Sequence, residues 1–233
     1  MRYLGRSNDS SRPVIHLPLG RAAFDGVLRL QRDLQRRRAE GRIDDVVITV
    51  EHDPVFTVGR RGSITNLLVD RERLVEEGID LVDVERGGDI TYHGPGQLVV
   101  YPILDLHAYG RDLRAHVERL EEAAIRTAAS FGIDARRAPG RPGVWVDRRK
   151  IASVGVHVRR WVTMHGLALN VDVDRRHFAM IRPCGLPVET VSMAEVAERP
   201  IEFDEVVRRY LAEATALFGW VLRTLHRKEL KGA

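Results

Sequence analysis

The sequence predicts an α+β fold with a mixed, largely antiparallel sheet flanked by helices. Apolar runs of strand length follow one another without a helix between them: Val144–Val146, Ile151–Val158 and Leu167–Val171. Two longer segments, over residues 112–131 and 204–218, instead show the apolar spacing of amphipathic helices. Because strands and helices do not alternate regularly, we expect the sheet to be mixed or mainly antiparallel.

The N-terminal half contains one amphipathic helix and several short apolar runs. After a polar stretch over residues 1–12, which we expect to be poorly ordered, apolar residues recur at helical spacing from Phe24 to Leu34, and Gly41 can end that helix. A buried strand, a short strand and a short helix are then predicted in order: Asp45–Val50, Val55–Val58 and Asp70–Glu77. Two further strands are predicted around a glycine-rich segment: Val82–Val84 and Leu98–Leu104.

The C-terminal half begins with the longest predicted helix, which Asp112 can cap and Gly132 can end. Six residues are predicted to face inward from this helix: Leu113, Val117, Leu120, Ala124, Ala128 and Phe131. Residues 137–143 are predicted as a loop because prolines and glycines interrupt them. We expect one domain over residues 1–233, with a flexible C-terminal tail from about residue 220.

The composition excludes several classes of protein. With 44% hydrophobic and 30% charged residues, no apolar run of membrane-spanning length and no signal peptide, the chain is predicted to be cytoplasmic. A single cysteine excludes an internal disulfide framework and agrees with a reducing compartment. The net charge of +4 suits an acidic protein partner as well as nucleic acid. Because the arginine clusters lack interleaved aromatic residues, we interpret most of them as solvated faces and expect no nucleic-acid partner.

The segment Arg86–Gln97 contains four glycines between two predicted strands. Its glycines alone fit a hairpin connection. A turn does not require the other residues of the segment, Arg86, Thr91, His93 and Gln97. Their presence favours a loop whose backbone approaches a ligand closely.

Cys184 and Lys150 are the candidates for covalent chemistry. Cys184 stands between two prolines and before a glycine, a setting in which an exposed thiol can react, although most free cysteines are small buried hydrophobes. Lys150 begins an apolar run, so strand alternation can direct its ammonium into a site, where a lysine can accept a proton from a thiol and stabilise the thiolate. The alternative is a solvated lysine at the end of a basic hairpin.

His93 and His165 could each serve as a base, and each could equally be a structural histidine. The histidines are not paired with carboxylates at metal-binding spacing, so no metal site is expected. The sequence also lacks a Walker loop and a strand–GxGxxG–helix pattern, so we expect no nucleotide and no cofactor.

Five separated segments together resemble one family, the LipB octanoyltransferases, formally lipoyl(octanoyl) transferases. They are Glu51–Arg60, Arg86–Leu98, Lys150–Val156, Met164–Asn170 and Pro183–Gly185. The resemblance runs from about Glu51 to Ser192 in the expected order. The sequence departs from the family pattern in two small ways, at Asp53 and in the arginine-rich approach Arg148–Arg149. The second departure could alter how a carrier protein docks.

This resemblance implies the catalytic-domain fold of biotin and lipoate protein ligases, and transfer of an octanoyl group from acyl carrier protein to a lysine of a lipoyl domain. The acceptors would be 2-oxoacid dehydrogenase E2 subunits and the glycine cleavage H protein, and we expect a monomer that binds no membrane. Cys184 would form the acyl thioester and Lys150 would lower the pKa of its thiol. Substrate would be bound by three segments: Arg86, Gly87, Gly88, Asp89, Ile90, Thr91, Tyr92 and His93; Ser153, Val154 and Gly155; Gly166, Leu167 and Ala168.

Two alternatives remain open from the sequence. An ATP-dependent lipoate or biotin ligase of the same fold would activate a free acid as an adenylate and would not need Cys184. A module without catalytic activity could hold carrier or lipoyl domains through its arginines. Salt-sensitive nucleic-acid binding, if observed, would instead indicate a nucleic-acid-binding protein.

Overall fold

The structure is a computed structural model that describes residues 12–182, 188–225 and 229. The strands are, in chain order, β1 Arg12–Ala22, β2 Asp45–His52, β3 Val55–Val58, β4 Asp80–Asp83, β5 Ile90–His93, β6 Gln97–Ile103, β7 Arg136–Ala138, β8 Arg141–Val146, β9 Arg149–Arg159, β10 Val162–Asn170 and β11 Trp220–Thr224. The α-helices are α1 Phe24–Ala39, α2 Arg71–Glu76, α3 Leu113–Ser130, α4 Met193–Ala197 and α5 Phe203–Phe218. None of the helices in the described ranges has the length and apolarity needed to cross a membrane.

Eight strands form the main sheet, in the order β11-β1-β2-β6-β10-β9-β8-β7. β1 runs parallel to β11 and to β2, and the other neighbouring pairs are antiparallel. A smaller sheet, in the order β4-β3-β5, contains the middle of the glycine-rich segment, residues 90–93. The predicted mixed, largely antiparallel sheet with flanking helices is confirmed.

Helices cover both faces of the main sheet. Alternation along β2 separates the two cores: Val46 and Ile48 pack with α1, whereas Val47 belongs to the cluster that contains buried residues of α3 and α5. α3 can lie close to the sheet because Ala124 and Ala128, which are both fully buried, have small side chains. β9 pairs with β8 only through residues 149–152, so the rest of that edge of β9 has no strand partner. A cavity lies along this free edge.

Four predictions need correction. Residues 12–22 form a strand that was not predicted, because Pro13, Pro18 and Gly20 mask its apolar pattern. Residues 137–143 contribute to the β7–β8 hairpin instead of forming only a loop. Residues 220–224 form β11 beside β1 instead of belonging to a flexible tail. The glycine-rich segment does not simply join two paired strands, since its residues 90–93 form β5 and pair with β3.

Substitution of Gly166 is expected to destabilise the main sheet. A Cβ at this position would overlap the main-chain carbonyl oxygen of Val100 in the neighbouring strand, so Gly166→Ala must push β10 away from β6. The free energy of unfolding should fall by roughly 1–3 kcal/mol. Urea denaturation measures this change.

Gly26→Ala is the matched control for that substitution. Gly26 lies in α1, and a Cβ there would meet nothing within 4 Å. Alanine has the higher helix propensity, so the control should gain up to about 1 kcal/mol. Equal losses in both variants would contradict the steric account of Gly166.

His116 makes the folded protein sensitive to acid. Both ring nitrogens are buried without a hydrogen-bond partner among the described residues, and the ring lies 5.7 Å from that of Phe218. Burial lowers the pKa of His116 from 6.5 to about 4. The unfolded chain therefore binds the proton more tightly, and the contribution of His116 to stability is present above pH 6.5 and is lost as the pH falls towards 4.

Removing this imidazole should reduce the pH dependence of unfolding. At about pH 5, His116→Leu is expected to recover roughly 2 kcal/mol relative to its effect at neutral pH. Urea denaturation of both proteins across this pH range measures the difference. Parallel stability profiles would contradict the assignment, because the variant lacks the group that takes up the proton.

Candidate active site

A cavity of about 430 Å³ lies along β9, between this strand, the glycine-rich segment and the start of α3. It brings together thirteen of the residues predicted to bind substrate, which come from three separate parts of the chain: Arg86, Gly87, Gly88, Asp89, Ile90, Thr91 and His93; Ser153, Val154 and Gly155; Gly166, Leu167 and Ala168. Lys150 lies on the same wall, at one end.

The loop over residues 86–88 is fixed to the free edge of β9. The main-chain N–H of Gly87 donates to the carbonyl of Val156 at 3.0 Å, which replaces the strand partner that this edge lacks. Gly88 has φ of +90°, a conformation that favours glycine. The loop also needs Gly59 beneath it, since a Cβ there would come within 2.6 Å of the Gly88 carbonyl oxygen.

Arg86 is a buried cation that anchors this loop to the smaller sheet. Its Nη2 donates to the carbonyl oxygen and the hydroxyl of Thr57, at 2.6 and 2.8 Å, and its Nη1 donates to the Gly87 carbonyl. Burial lowers the pKa of Arg86 to about 10, so the guanidinium remains charged at neutral pH. It therefore supplies a fixed positive charge behind the cavity wall.

Asp89 holds the other end of the loop. Its carboxylate accepts from the main-chain N–H groups of Ser63 and Ile90, at 3.2 and 2.7 Å, and from the side-chain amide of Asn66 at 2.6 Å. The buried aspartate thus joins the cavity wall to the turn after β3. Its role is to shape the loop.

The opposite wall is formed where β9 and β10 pair. Gly155 lies opposite Gly166. The missing side chain of Gly155 leaves space for the glycine-rich loop, and that of Gly166 lets β6 pair closely with β10. A Cβ on Gly155 would lie 3.0 Å from the Gly87 carbonyl oxygen and 3.1 Å from the Arg86 side chain. Apolar side chains of Val154, Val156 and Leu167 also line the space.

His93 is a neutral histidine at the inner wall. Its Nδ1–H donates to the Gln97 side-chain oxygen at 2.7 Å, and the Gln97 amide in turn donates to Asn170 at 2.9 Å. Burial, followed by the nearby His52, lowers the pKa of His93 to about 3. The chain of amides fixes its tautomer and leaves Nε2 without a proton.

Tyr92 is placed differently from its predicted role. Its hydroxyl is hydrogen-bonded to Nδ1 of His177 at 2.8 Å, and its buried ring packs between Phe56 and Phe178. Strand alternation explains the difference, because Tyr92 faces away from the side on which Thr91 and His93 meet the cavity. Tyr92 supports the wall from behind.

His165 lies at the far end of the cavity from Lys150. It pairs with Val156, and the six residues from there to Lys150 span about 20 Å of extended strand. His165 has φ of +61°, its main-chain N–H donates to Gln31, and its Nε2 lies 3.7 Å from a Glu85 carboxylate oxygen. Burial lowers the pKa of His165, which favours the neutral ring. This distance argues against direct proton transfer between His165 and Lys150.

Lys150 is held at the cavity wall by both its main chain and its side chain. Its N–H donates to the Glu189 carbonyl at 2.8 Å, and its own carbonyl accepts from Val191 at 3.0 Å. The ammonium lies 4.7 Å from the ring centroid of Trp145, a fully buried residue opposite it on β8. Arg141 stacks on the same indole at 3.8 Å. Two cations therefore share one aromatic support.

Cys184 lies outside the described residues, within the stretch 183–187. The residues on either side of that stretch are described. Before it, Arg182 N–H donates to the carbonyl of Asn66 at 2.8 Å. After it, Val188 and Thr190 line the cavity, and Thr190 forms a bridge with Lys150.

Several functional residues were missed from the sequence. Thr57 and Gly59 belong to the Glu51–Arg60 segment of the family resemblance but were not predicted as site residues, because their part in the site comes from long-range contacts with the glycine-rich loop. Trp145 could have been found, because a tight β8–β9 hairpin places it opposite Lys150. Leu113 was predicted to face inward but is 40% exposed, and it lines the cavity. Among the described residues, no group of three or more histidine, aspartate or glutamate side chains could hold a metal ion.

Comparison with known proteins agrees with this geometry. A model of the lipoyl protein ligase A/B catalytic domain matches residues 26–215. An octanoyltransferase of Solibacter usitatus is 46% identical over 200 residues, which cover 86% of this chain and 90% of that relative. An octanoyltransferase of Geobacter metallireducens is 45% identical over 191 residues, which cover 82% and 86%.

A solved structure of an archaeal bipartite lipoate protein ligase with its E2 lipoyl domain, from Thermoplasma acidophilum, is similar with a TM-score of 0.69. The match covers 95% of this chain and 90% of that chain at 17% identity, so it bears on the fold alone. The resemblance and the fold predicted from sequence are both confirmed. The chain belongs to the octanoyltransferase family, acyltransferases built on the lipoyl protein ligase A/B catalytic domain.

Proposed function

We propose that this chain transfers an octanoyl group from acyl carrier protein to a lysine of lipoyl domains, through a thioester on Cys184. The observation that carries the proposal is the position of Lys150, which lies on an apolar-walled cavity beside residues that follow the cysteine-containing stretch. The acceptors in this proposal are 2-oxoacid dehydrogenase E2 subunits and the glycine cleavage H protein. The reaction takes place in the cytoplasm, where a single cysteine stays reduced.

The first half-reaction exchanges one thioester for another. Lys150 enters this step as the neutral amine: it takes the proton of the Cys184 thiol and becomes an ammonium, and the thiolate attacks the octanoyl carbonyl of the donor. The tetrahedral oxyanion collapses by breaking the bond to the donor sulfur, which leaves as a thiol after it takes the proton back from Lys150. Because a thioester is formed as another is broken, this step needs no ATP.

The second half-reaction converts the thioester to an amide. The amine of the acceptor lysine attacks the octanoyl carbonyl, loses a proton to Lys150, and displaces the Cys184 thiolate. That thiolate regains its proton, which returns the enzyme to its starting state. Amide formation is favourable and drives the transfer forward. Main-chain N–H groups near each oxyanion would stabilise it, and one such donor is worth about 3 kcal/mol.

The cavity supports binding of a medium acyl chain. Its volume of about 430 Å³ lies within the range of small-molecule sites, and its walls include Val99, Val117, Val154, Val156 and Leu167. Each methylene that leaves water for this surface contributes about 0.8 kcal/mol. The neutral state of His93 also suits an apolar ligand, because no extra buried charge needs to be desolvated.

Transfer without nucleotide tests this proposal. Purified protein, octanoyl carrier protein and a lipoyl domain should yield octanoylated domain in the absence of ATP, as measured by intact mass. Free octanoate with ATP should yield none. The opposite pattern would identify an ATP-dependent ligase, and binding of both partners without product would identify a carrier-binding module.

A further inference from the structure

A second cavity, of about 940 Å³, lies between α1 and the hairpin that joins β9 to β10. We call it the outer cavity, and we call the cavity that carries Lys150 the acyl cavity. The outer cavity is the larger of the two, since the acyl cavity has a volume of about 430 Å³. The proposed transfer reaction makes no use of this second space.

The two cavities meet at a boundary that is one residue thick. At four places in the chain, one residue lines one cavity and the next residue lines the other. These places are Arg60 and Arg61, Glu85 and Arg86, Val156 and His157, and Met164 and His165. In the sheet, Val156 pairs with His165 and His157 pairs with Met164, so the boundary crosses β9 and β10 at the same level.

His165 and Glu85 face each other across this boundary. His165 lines the acyl cavity, Glu85 lines the outer cavity, and His165 Nε2 lies 3.7 Å from Glu85 Oε2. Arg32 also lines the outer cavity, and its Nε donates to the other Glu85 oxygen at 2.8 Å. The ion pair with Arg32 therefore holds the carboxylate behind the imidazole.

The backbone of β10 is turned at His165 so that the ring can take this position. Side chains alternate along a strand, so His165 should face away from Met164. Instead His165 has φ of +61°, and its ring lies 6.3 Å from that of Tyr101, which belongs to the same core cluster as Met164. The Gln31 side-chain oxygen accepts from the His165 main-chain N–H at 2.9 Å and fixes the turned backbone. A strained conformation of this kind is typical of functional positions.

Polar atoms at the boundary lack hydrogen bonds. Glu85 Oε2, His165 Nε2 and Gln31 Nε2 are buried without a partner among the described residues. Buried polar atoms without partners destabilise a fold, so stability alone does not account for this group. An alkyl chain pressed against these atoms cannot supply the missing hydrogen bonds, so the boundary opposes its entry by polarity as well as by bulk.

We propose that His165, backed by Glu85, is the stop that ends the acyl cavity and limits transfer to acyl chains of medium length. The inference rests on the proposed function, because it concerns the chain of the transferred thioester. A chain whose thioester lies beside Lys150 runs along β9 and directs its methyl end to His165. His165 sets specificity by contact with that end and takes no part in the transfer of the acyl group.

Removal of the imidazole joins the two cavities. The far end of a longer chain can then pass the boundary and contact Val158 and Met164, which line the outer cavity. The extra methylenes leave water for this surface, so the variant gains affinity for long-chain donors that wild-type protein excludes.

The test compares kcat/KM for octanoyl carrier protein and dodecanoyl carrier protein, with a lipoyl domain as acceptor. Wild-type protein should strongly prefer the octanoyl donor. In His165→Ala, the ratio of dodecanoyl to octanoyl transfer should rise at least about tenfold, the gain that two newly buried methylenes provide. His165→Gly removes the same ring, suits the φ of +61°, and gives the measurement if the alanine variant folds poorly.

Two further variants are the controls. His157→Ala removes the same type of side chain from the neighbouring strand, at a residue that lines the outer cavity and not the acyl cavity. It should keep the wild-type ratio of the two donors. His165→Phe keeps an aromatic ring at the boundary, so this variant should also keep the preference for octanoyl.

An unchanged ratio in both His165→Ala and His165→Gly would overturn the proposal. An equal rise in His157→Ala or in His165→Phe would also overturn it, as would a wild-type protein that uses the two donors equally well. If wild-type protein transfers from neither donor, the proposed function fails instead, so the two failures are distinguishable.

Discussion

Replacement of Cys184 by serine is expected to lower kcat for octanoyl transfer at least about a thousandfold. A serine hydroxyl is a far weaker nucleophile than a thiolate, and Lys150 alone cannot activate it to the same degree. The assay follows octanoylated lipoyl domain with carrier-protein donor, at substrate concentrations above KM. The substitution changes one atom and adds no volume, so the fold should be kept.

Two controls separate chemistry from folding for this variant. The free energy of unfolding should stay within about 1 kcal/mol of wild type, because a serine replaces a cysteine of nearly equal size. The variant should also still bind carrier protein. Retention of more than a tenth of the wild-type kcat would contradict a covalent intermediate on this residue.

Replacement of Lys150 by alanine is expected to lower kcat about a hundredfold or more, because the thiol then loses its proposed proton acceptor and the cation proposed to stabilise its thiolate. The chain has one cysteine, so iodoacetamide labelling reports on Cys184 alone. In Lys150→Ala, labelling at neutral pH should slow about tenfold and should recover at high pH, where the thiol ionises without help.

Lys150→Arg separates the two roles of the lysine. Arginine keeps a positive charge but does not release its proton, so labelling at neutral pH should be largely retained while transfer is lost. The Trp145 ring is available to support the guanidinium as it supports the ammonium. Labelling rates that are the same in wild type and Lys150→Ala at every pH would show that Lys150 does not activate the thiol.

Periodicity predicted four of the five α-helices in the described ranges, all but the short α4, and most of the strands. The apolar positions of α1 and α5, and Gly219 at the end of α5 with φ of +69°, follow local rules that the chain obeys. β1 could not be found in this way. It contains Pro13 and Pro18, and its stability comes from parallel pairing with β2 and β11, which are distant in sequence.

The candidate site was predictable at the level of segments and less so at the level of contacts. The glycine-rich loop, the β9 run and the β10 run carry strong local patterns, and the structure brings them to one cavity. The contacts that fix them are non-local: Arg86 on Thr57, Gly88 over Gly59, and Gly87 on Val156. Tyr92 lies behind the cavity wall because side chains alternate along β5. The sequence pattern alone did not predict β5 or its register with β3.

The central claim is that an acyl group passes through Cys184, and intact-mass spectrometry tests it most directly. Wild-type protein mixed with octanoyl carrier protein, without acceptor, should gain the mass of one octanoyl group, and peptide mapping should locate it on Cys184. Addition of lipoyl domain should then remove this mass and transfer it to a lysine of the domain. Wild-type protein that turns over without an adduct, or an octanoyl adduct that persists at another residue in Cys184→Ser, would contradict the account.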